Sequence, residues 1–166
     1  MYKKYNFPCS LLSDGVRNSI QQLQLNFCVF GPTVELGPLR SLTSLHLRCV
    51  HITEDELGSL LAKSLSLQHL YLDGCNEIII LKIPCVLHKL SRLVVHSERP
   101  RVIDSKAPNL CSIALNVGDI KLSLGEAMQL KDMWMRCLSV VSYARAELTP
   151  IVPSVETLDI RTNGEV

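Results

Sequence analysis

Aromatic residues make up only 5% of this 166-residue chain, and neither sign of charge predominates: Lys and Arg number 17, Asp and Glu 16. A net charge of +1 gives no electrostatic footprint for nucleic acid or an anionic membrane, so neither is expected as a partner. The seven cysteines are odd in number and scattered, with no Cys-x-x-Cys pair, and read as packing thiols of a reducing compartment. There is no Gly-rich phosphate loop, since Gly31-Pro32 and Gly37-Pro38 are turn dipeptides. Long apolar runs are missing too. The longest, Ile78-Ile79-Ile80-Leu81, is broken by Lys82 and Pro84, far short of the roughly 20 residues that cross a bilayer. The basic start, Met1 to Asn6, leads into Pro8, Ser13 and Asp14 rather than the apolar centre of a secretory signal, which points to cytoplasm or nucleus.

What the chain has is aliphatic side chains in a repeating order, with 47% apolar residues and a mean hydropathy of +0.21. An apolar-x-x-apolar-x-apolar cadence returns seven times, its middle residues being Leu23, Leu45, Leu70, Leu93, Ile113, Met133 and Leu158. The steps between them are 22, 25, 23, 20, 20 and 25 residues. A period of this length marks a solenoid, in which each unit buries its face only against its neighbours. The last two apolar residues of each cadence are two apart, the period of a strand, so both point inward and the strands stack as a parallel sheet. Residues 1–19 read as a lead-in with a short helical turn at Asp14 to Ser19 capped by Ser13, and residues 20–166 as one repeat domain.

The return path of the second unit reads as helix. Thr53-Glu54-Asp55-Glu56 has the capping-box pattern, and Leu57, Leu60 and Leu61 follow at helical spacing. Glu54 and Asp55 suit the positive helix start and Lys63 its end. Elsewhere Ile83-Pro84-Cys85 and Ala107-Pro108-Asn109 place prolines where a helix could not continue. These returns are expected to be extended, with an irregular, thin convex side. Three residues after the last strand aliphatic, repeats of this kind favour Asn or Cys to bond the turn backbone. Cys28, Cys75 and Asn163 occupy that position, while Val50, Glu98, Gly118 and Leu138 fill the other four, with Cys49 and Cys137 one place early.

The stretch Leu67-Gln68-His69-Leu70-Tyr71-Leu72-Asp73-Gly74-Cys75 resembles the leucine-rich-repeat consensus, and Ile52 to Leu61 resembles the convex helix of its cysteine-containing subtype. Ile103-Asp104-Ser105-Lys106-Ala107-Pro108-Asn109-Leu110 is similar to a signature of plant F-box/leucine-rich-repeat proteins. Leu81 to Cys85, Tyr143 to Leu148 and Val152 to Leu158 resemble the same family, particularly its grass members. The resemblance implies an α/β fold: a leucine-rich-repeat solenoid with a curved parallel sheet of about seven short strands, one clear convex helix and otherwise irregular returns. It further implies the substrate-receptor arm of a cullin–RING ubiquitin ligase. The family's F-box, roughly three helices that dock to the ligase adaptor, has no counterpart before residue 20, and the chain stops at Val166 just after a repeat strand. A C-terminally truncated receptor arm without adaptor docking is therefore expected.

Residues between and beside the inward aliphatics face a partner on the concave side. The candidates are His46, Arg48, His69, Tyr71, Asp73, Arg92, His96, Asp132, Trp134, Arg136, Asp159 and Arg161. Tyr, Trp and Arg dominate binding hot spots, although any open sheet face must be polar and pairs its opposite charges for stability. A tail near Tyr143 could cover Trp134. His46, His69 and His96 fall on successive strands but not in one row, and zinc wants three or four converging ligands, so no metal or other cofactor is expected. Cys28 and Cys75 are expected inside turns with no base beside them, and the Glu54–Glu56 acids serve the helix start; no enzymatic reaction is expected. The leading function is a protein-interaction module with an unknown substrate protein on the concave face. The alternatives are a non-functional remnant or a free-standing scaffold with no ligase link. Open solenoid ends would expose Ile20, Leu23 and Leu25 at one, unless residues 5 to 19 cover them, and Val155, Leu158 and Ile160 at the other, which invites self-association.

Overall fold

A computed structural model describes residues 4–32, 36–125, 129–137 and 154–162. In chain order these form β1 (Tyr5–Asn6), a 3-10 turn (Cys9–Leu12), α1 (Asp14–Ser19), β2 (Gln22–Asn26), β3 (Cys28–Val29) and β4 (Ser44–Arg48). Then come α2 (Glu54–Ala62), β5 (His69–Asp73), β6 (Ile80–Ile83), β7 (Arg92–Ser97), β8 (Val102–Ser105) and β9 (Ser112–Val117). The chain continues with β10 (Lys121–Ser123), β11 (Asp132–Cys137) and β12 (Thr157–Thr162). Leu138, Tyr143 and Asn163, and the block from Tyr143 to Leu148, lie outside the described residues.

Strands β2, β4, β5, β7, β9, β11 and β12 form one parallel sheet whose order follows the chain. Its register sets Leu23, Leu45, Leu70, Leu93, Ile113, Met133 and Leu158 side by side. All but Leu158 are buried. With a side-chain period of two, sliding one strand by a single residue would turn its aliphatics to water, so the hydrophobic pattern alone pins the register. A second ladder guards the same alignment at the start of each strand. The carbonyl of Gln21 accepts the amides of Thr43 and Ser44, and the exchange recurs at Thr43, Gln68, Ser91, Cys111 and Lys131. Thr43 and Ser91 add hydroxyl bonds to the preceding unit, at 3.0 Å to Gln21 and 3.2 Å to Gln68.

The convex side is where the structure departs from expectation. Helix α2 forms as read, with the Thr53 hydroxyl accepting the Glu56 amide at 3.2 Å and the Glu56 carboxylate accepting the Thr53 amide at 2.8 Å. Leu57, Leu60 and Leu61 are its buried face. Glu54, read as a helix-start acid, also accepts the amides of Ile79 and Ile80 at 2.9 and 2.8 Å and so anchors the start of β6. The later returns are extended but not irregular: β6, β8 and β10 pair in parallel as a second, three-stranded sheet. Neighbouring units already lie one strand spacing apart, about 4.8 Å. Extended returns at that spacing satisfy their amides against each other rather than against water.

At the first solenoid end the lead-in covers the edge, the alternative to an open end. β1 pairs with β3, matching Tyr5 to Cys28 and Asn6 to Val29. Phe7 meets Phe30 edge-to-face with ring centres 5.4 Å apart, and Leu12 is buried in the core. Leu23 and Leu25 are thereby only 6% and 7% exposed. The lid works because Phe7, Leu12 and Ile20 bring their own apolar surface to the edge. Ser13 precedes α1 but makes no side-chain capping bond. At the last described strand Leu158 is 44% exposed, while Val155 and Ile160 are partly buried against the core.

Candidate functional site

Alternation along each strand fixes what the concave face presents. Gln24, His46, Tyr71, Val94, Ala114, Trp134 and Asp159 form one register row across the seven strands. On one side run Asn26, Arg48, Asp73, His96, Asn116, Arg136 and Arg161, and on the other Gln22, Ser44, His69, Arg92, Ser112, Asp132 and Thr157. Every predicted candidate therefore stands on this face.

The structure joins some of them into one feature. His46 stacks on Tyr71 at 5.2 Å between ring centres, Tyr71 meets His96 edge-on at 5.6 Å, and His96 meets Trp134 at 6.0 Å. The row ends where the Arg161 guanidinium lies over Trp134, 5.9 Å from the ring centre. Asp159 holds that guanidinium by bonds of 3.0 and 3.3 Å, and these bonds push the Arg161 pKa upward. All four rings are half-buried, so they are ordered by one another before any partner arrives. Val94, beside Tyr71 in register, is only 4% exposed; it belongs to the floor of the row and not to its contact surface.

A second, smaller arrangement stands at the first repeats. Arg48 pairs with Asp73 at 3.3 Å and lies 5.9 Å from the Phe27 ring centre. Phe27 is absent from the sequence-derived candidates, yet it is 67% exposed in a left-handed conformation with φ of 54°. Cys49 and Gly74 hold the equivalent turn with φ of 50° and 63°. The repeat imposes this backbone, and a bulky side chain tolerates it poorly. The signal that could have found Phe27 was its place two residues after the last strand aliphatic, shared with Cys49 and Gly74.

His69 and Arg92 stand next to each other in register, exposed and outside the ring row, and Asp132 and Arg136 flank Trp134 on β11. Beyond the strand ends opens a groove of about 780 Å³ lined in part by Asn76, Glu98, Arg99, Arg101 and Asp119. Asp73 and His96 reach it from the sheet. Sequence reasoning missed this groove because its residues belong to turns that no cadence marks.

The cysteines at the turns are structural. The Cys75 thiol points at the carbonyls of Leu47 and Asp73, 3.5 and 3.8 Å away, and burial pushes its pKa up to about 11. Burial raises Cys28 as well. A raised pKa keeps both as thiols, the unreactive form. Among the described residues, no group of three His, Cys, Asp or Glu is placed to hold a metal ion, and no helix is long and apolar enough to cross a membrane.

A family model described as At1g61320/AtMIF1, LRR domain, matches residues 1–166. No curated protein matches the chain.

Proposed function

The chain belongs to this leucine-rich-repeat domain family, and on that premise we propose that its seven-stranded face recognises a protein partner and carries no reaction of its own. The observation that carries the reading is the continuous row from His46 through Tyr71, His96 and Trp134 to Arg161. Tyr, Trp and Arg contribute most to interfaces because each buries a large surface at low cost in side-chain freedom. Here the rings already hold one another, so binding loses less conformational entropy still. The polar flanks, Arg48 with Asp73 and Asp159 with Arg161, form the rim that excludes water around such a centre.

The finer role proposed is the recognition arm of a plant F-box type receptor in a cullin–RING ubiquitin ligase, acting in the cytoplasm or nucleus. Its support is the resemblance of the Ile103 to Leu110 block and its companions. That block is also repeat chemistry: Ala107 and Leu110 are buried, and the Asn109 side chain donates to the His88 carbonyl at 2.7 Å. A free-standing scaffold with no ligase link would use the same concave face. The lid over the first repeat favours either of these over a remnant that folds poorly.

Affinity capture tests the reading by comparing the wild type with Tyr71→Ala combined with Trp134→Ala. Both side chains are half-buried and lie on the sheet surface, so the variant should fold, with its circular dichroism unchanged in shape. Specifically retained proteins should fall at least about tenfold, the loss expected for two hot-spot residues. An unchanged set of retained proteins would remove the concave face from the proposal. Retention of a ligase adaptor together with the partner would support the finer role, and its absence the free-standing scaffold.

A further inference from the structure

In the middle repeats charge is unevenly divided between the two rims, although the chain as a whole is nearly neutral at +1. The segments that lead into β4, β5, β7 and β9, with the first residue or so of each strand, are residues 36–44, 62–69, 84–92 and 106–112. They contain Arg40, Lys63, Lys89, Arg92 and Lys106 and no Asp or Glu, a balance of +5. The segments that leave the same strands are residues 48–52, 73–79, 96–101 and 116–120. They contain Arg48, Arg99 and Arg101 against Asp73, Glu77, Glu98 and Asp119, so 3 − 4 = −1. Lys63 serves the fold through its 2.7 Å bond to the Leu36 carbonyl. The others are exposed.

The repeat sharpens this into a patch. Arg40, Leu65 and His88 each stand two residues before the first aliphatic of their cadence, so they line up on consecutive repeats about 5 Å apart. Lys89 follows His88, and His69 and Arg92 stand in register just inside the sheet. Leu65 is 55% exposed and sits among these cations. His69 lies two residues from Tyr71 on the same strand face, so the patch runs into the ring row without a break.

We propose that this rim, built of Arg40, Leu65, His69, His88, Lys89 and Arg92, takes a carboxylate-rich segment of the protein partner. The segment carries an aliphatic or aromatic side chain that packs on Leu65 and leads into the ring row. This rests on the reading of the concave face as a protein-binding surface and adds the chemistry of what it binds. Charge complementarity selects the acid: Arg40, Lys89 and Arg92, carried by segments that contain no Asp or Glu, attract carboxylates and repel basic segments. Nucleic acid is the poorer occupant, because these segments hold no Phe, Tyr or Trp for base stacking.

The test titrates the protein with a dodecapeptide of Glu and Ser bearing one central Leu, labelled with a neutral dye and followed by anisotropy. A peptide with Lys for Glu and the oligonucleotide dT12 serve as comparisons. The Glu peptide should bind, and weaken several-fold between 50 and 200 mM NaCl as the charges are screened. Arg40→Glu with Lys89→Glu and Arg92→Glu should lose at least tenfold, and Lys89→Gln with Arg92→Gln should fall between. Arg99→Glu with Arg101→Glu on the other rim should stay within twofold. All of these positions are exposed, and thermal melts check that each variant folds. Equal binding of the Lys peptide, tighter binding of dT12, no binding of the Glu peptide, or indifference to the triple reversal would each overturn the proposal. Partner capture lost in the Tyr71/Trp134 variant but untouched by the triple reversal would remove the rim and leave the concave-face reading standing. The converse result would remove the ring row.

Discussion

The helix-backed and sheet-backed halves of this solenoid meet the same packing requirement with different lengths of chain. In the first half, β2, β4 and β5 are five-residue strands, and each is followed by a left-handed residue, Phe27, Cys49 or Gly74. The 25-residue step from Leu45 to Leu70 has room for the nine residues of α2, whose Leu57, Leu60 and Leu61 close the core. In the second half, β7, β9 and β11 run to six residues, and the steps from Leu93 to Ile113 and on to Met133 shrink to 20. A helix rises only about 1.5 Å per residue and a strand more than twice that. With fewer residues to return the same distance the chain must extend, and β8 and β10 result; β6 lies in the 23-residue step from Leu70 to Leu93. Repeat length limits the room for a helix, and Pro84 and Pro108 bar its continuation in the returns that carry β6 and β8.

Two optical signals separate the halves. Ellipticity at 222 nm reports α1 and α2, while the sole tryptophan, Trp134, reports β11. The largest effect is expected from emptying the core behind each half. Leu60→Ala and Ile103→Ala remove side chains that are 1% and 0% exposed and should each cost about 2–5 kcal/mol. Because stability in a solenoid is carried by neighbouring units, Leu60→Ala should shift the 222 nm urea transition first, and Ile103→Ala that of Trp134. Coincident transitions in both variants would make the two halves one cooperative unit and end the distinction.

A smaller effect probes the turns. Gly74→Ala places a Cβ 3.0 Å from the Cys49 sulfur at φ of +63°, and a loss of about 1–2 kcal/mol in urea denaturation is expected. Gly118→Ala, in the sheet-backed half, meets only the Glu98 carbonyl at 3.3 Å without a left-handed backbone and should lose less. Equal losses would show that the left-handed backbone at Gly74 adds nothing to the cost. The smallest effect is that of the helix cap. Thr53→Ala should cost about 1 kcal/mol, seen at 222 nm and absent from the Trp134 transition. A shift of equal size in both signals would tie α2 to the far strands more closely than the repeat geometry implies.

The concave rows were legible in full from the cadence. Once Leu45 and Leu47 point inward, His46 and Arg48 must point out, and the same holds in every unit down to Asp159 and Arg161. α2 was legible through Thr53 and Glu56, since a capping box is a local exchange within four residues. The pairing of β6 with β8 and β10 was not, because the alternation of Leu81-Lys82-Ile83 or Leu122-Ser123-Leu124 says which side chains turn inward and not whether the backbone finds a neighbouring strand. The lid was legible only as an alternative to an open edge. Phe7 and Leu12 sit in a lead-in with no repeat, and only their placement against Phe30 and the first strands shows what they cover.

Period and alternation settle which side chains turn inward, because a strand offers only two faces and one arrangement alone keeps all the aliphatics from water. Which outward side chains touch is settled by space. His46, Tyr71, His96 and Trp134 are separated by 25, 25 and 38 residues of chain. No local rule reaches that far. Their contact depends on the rotamers each ring adopts across strands about 5 Å apart, with Ala114 and Val94 small enough beneath to let the row close.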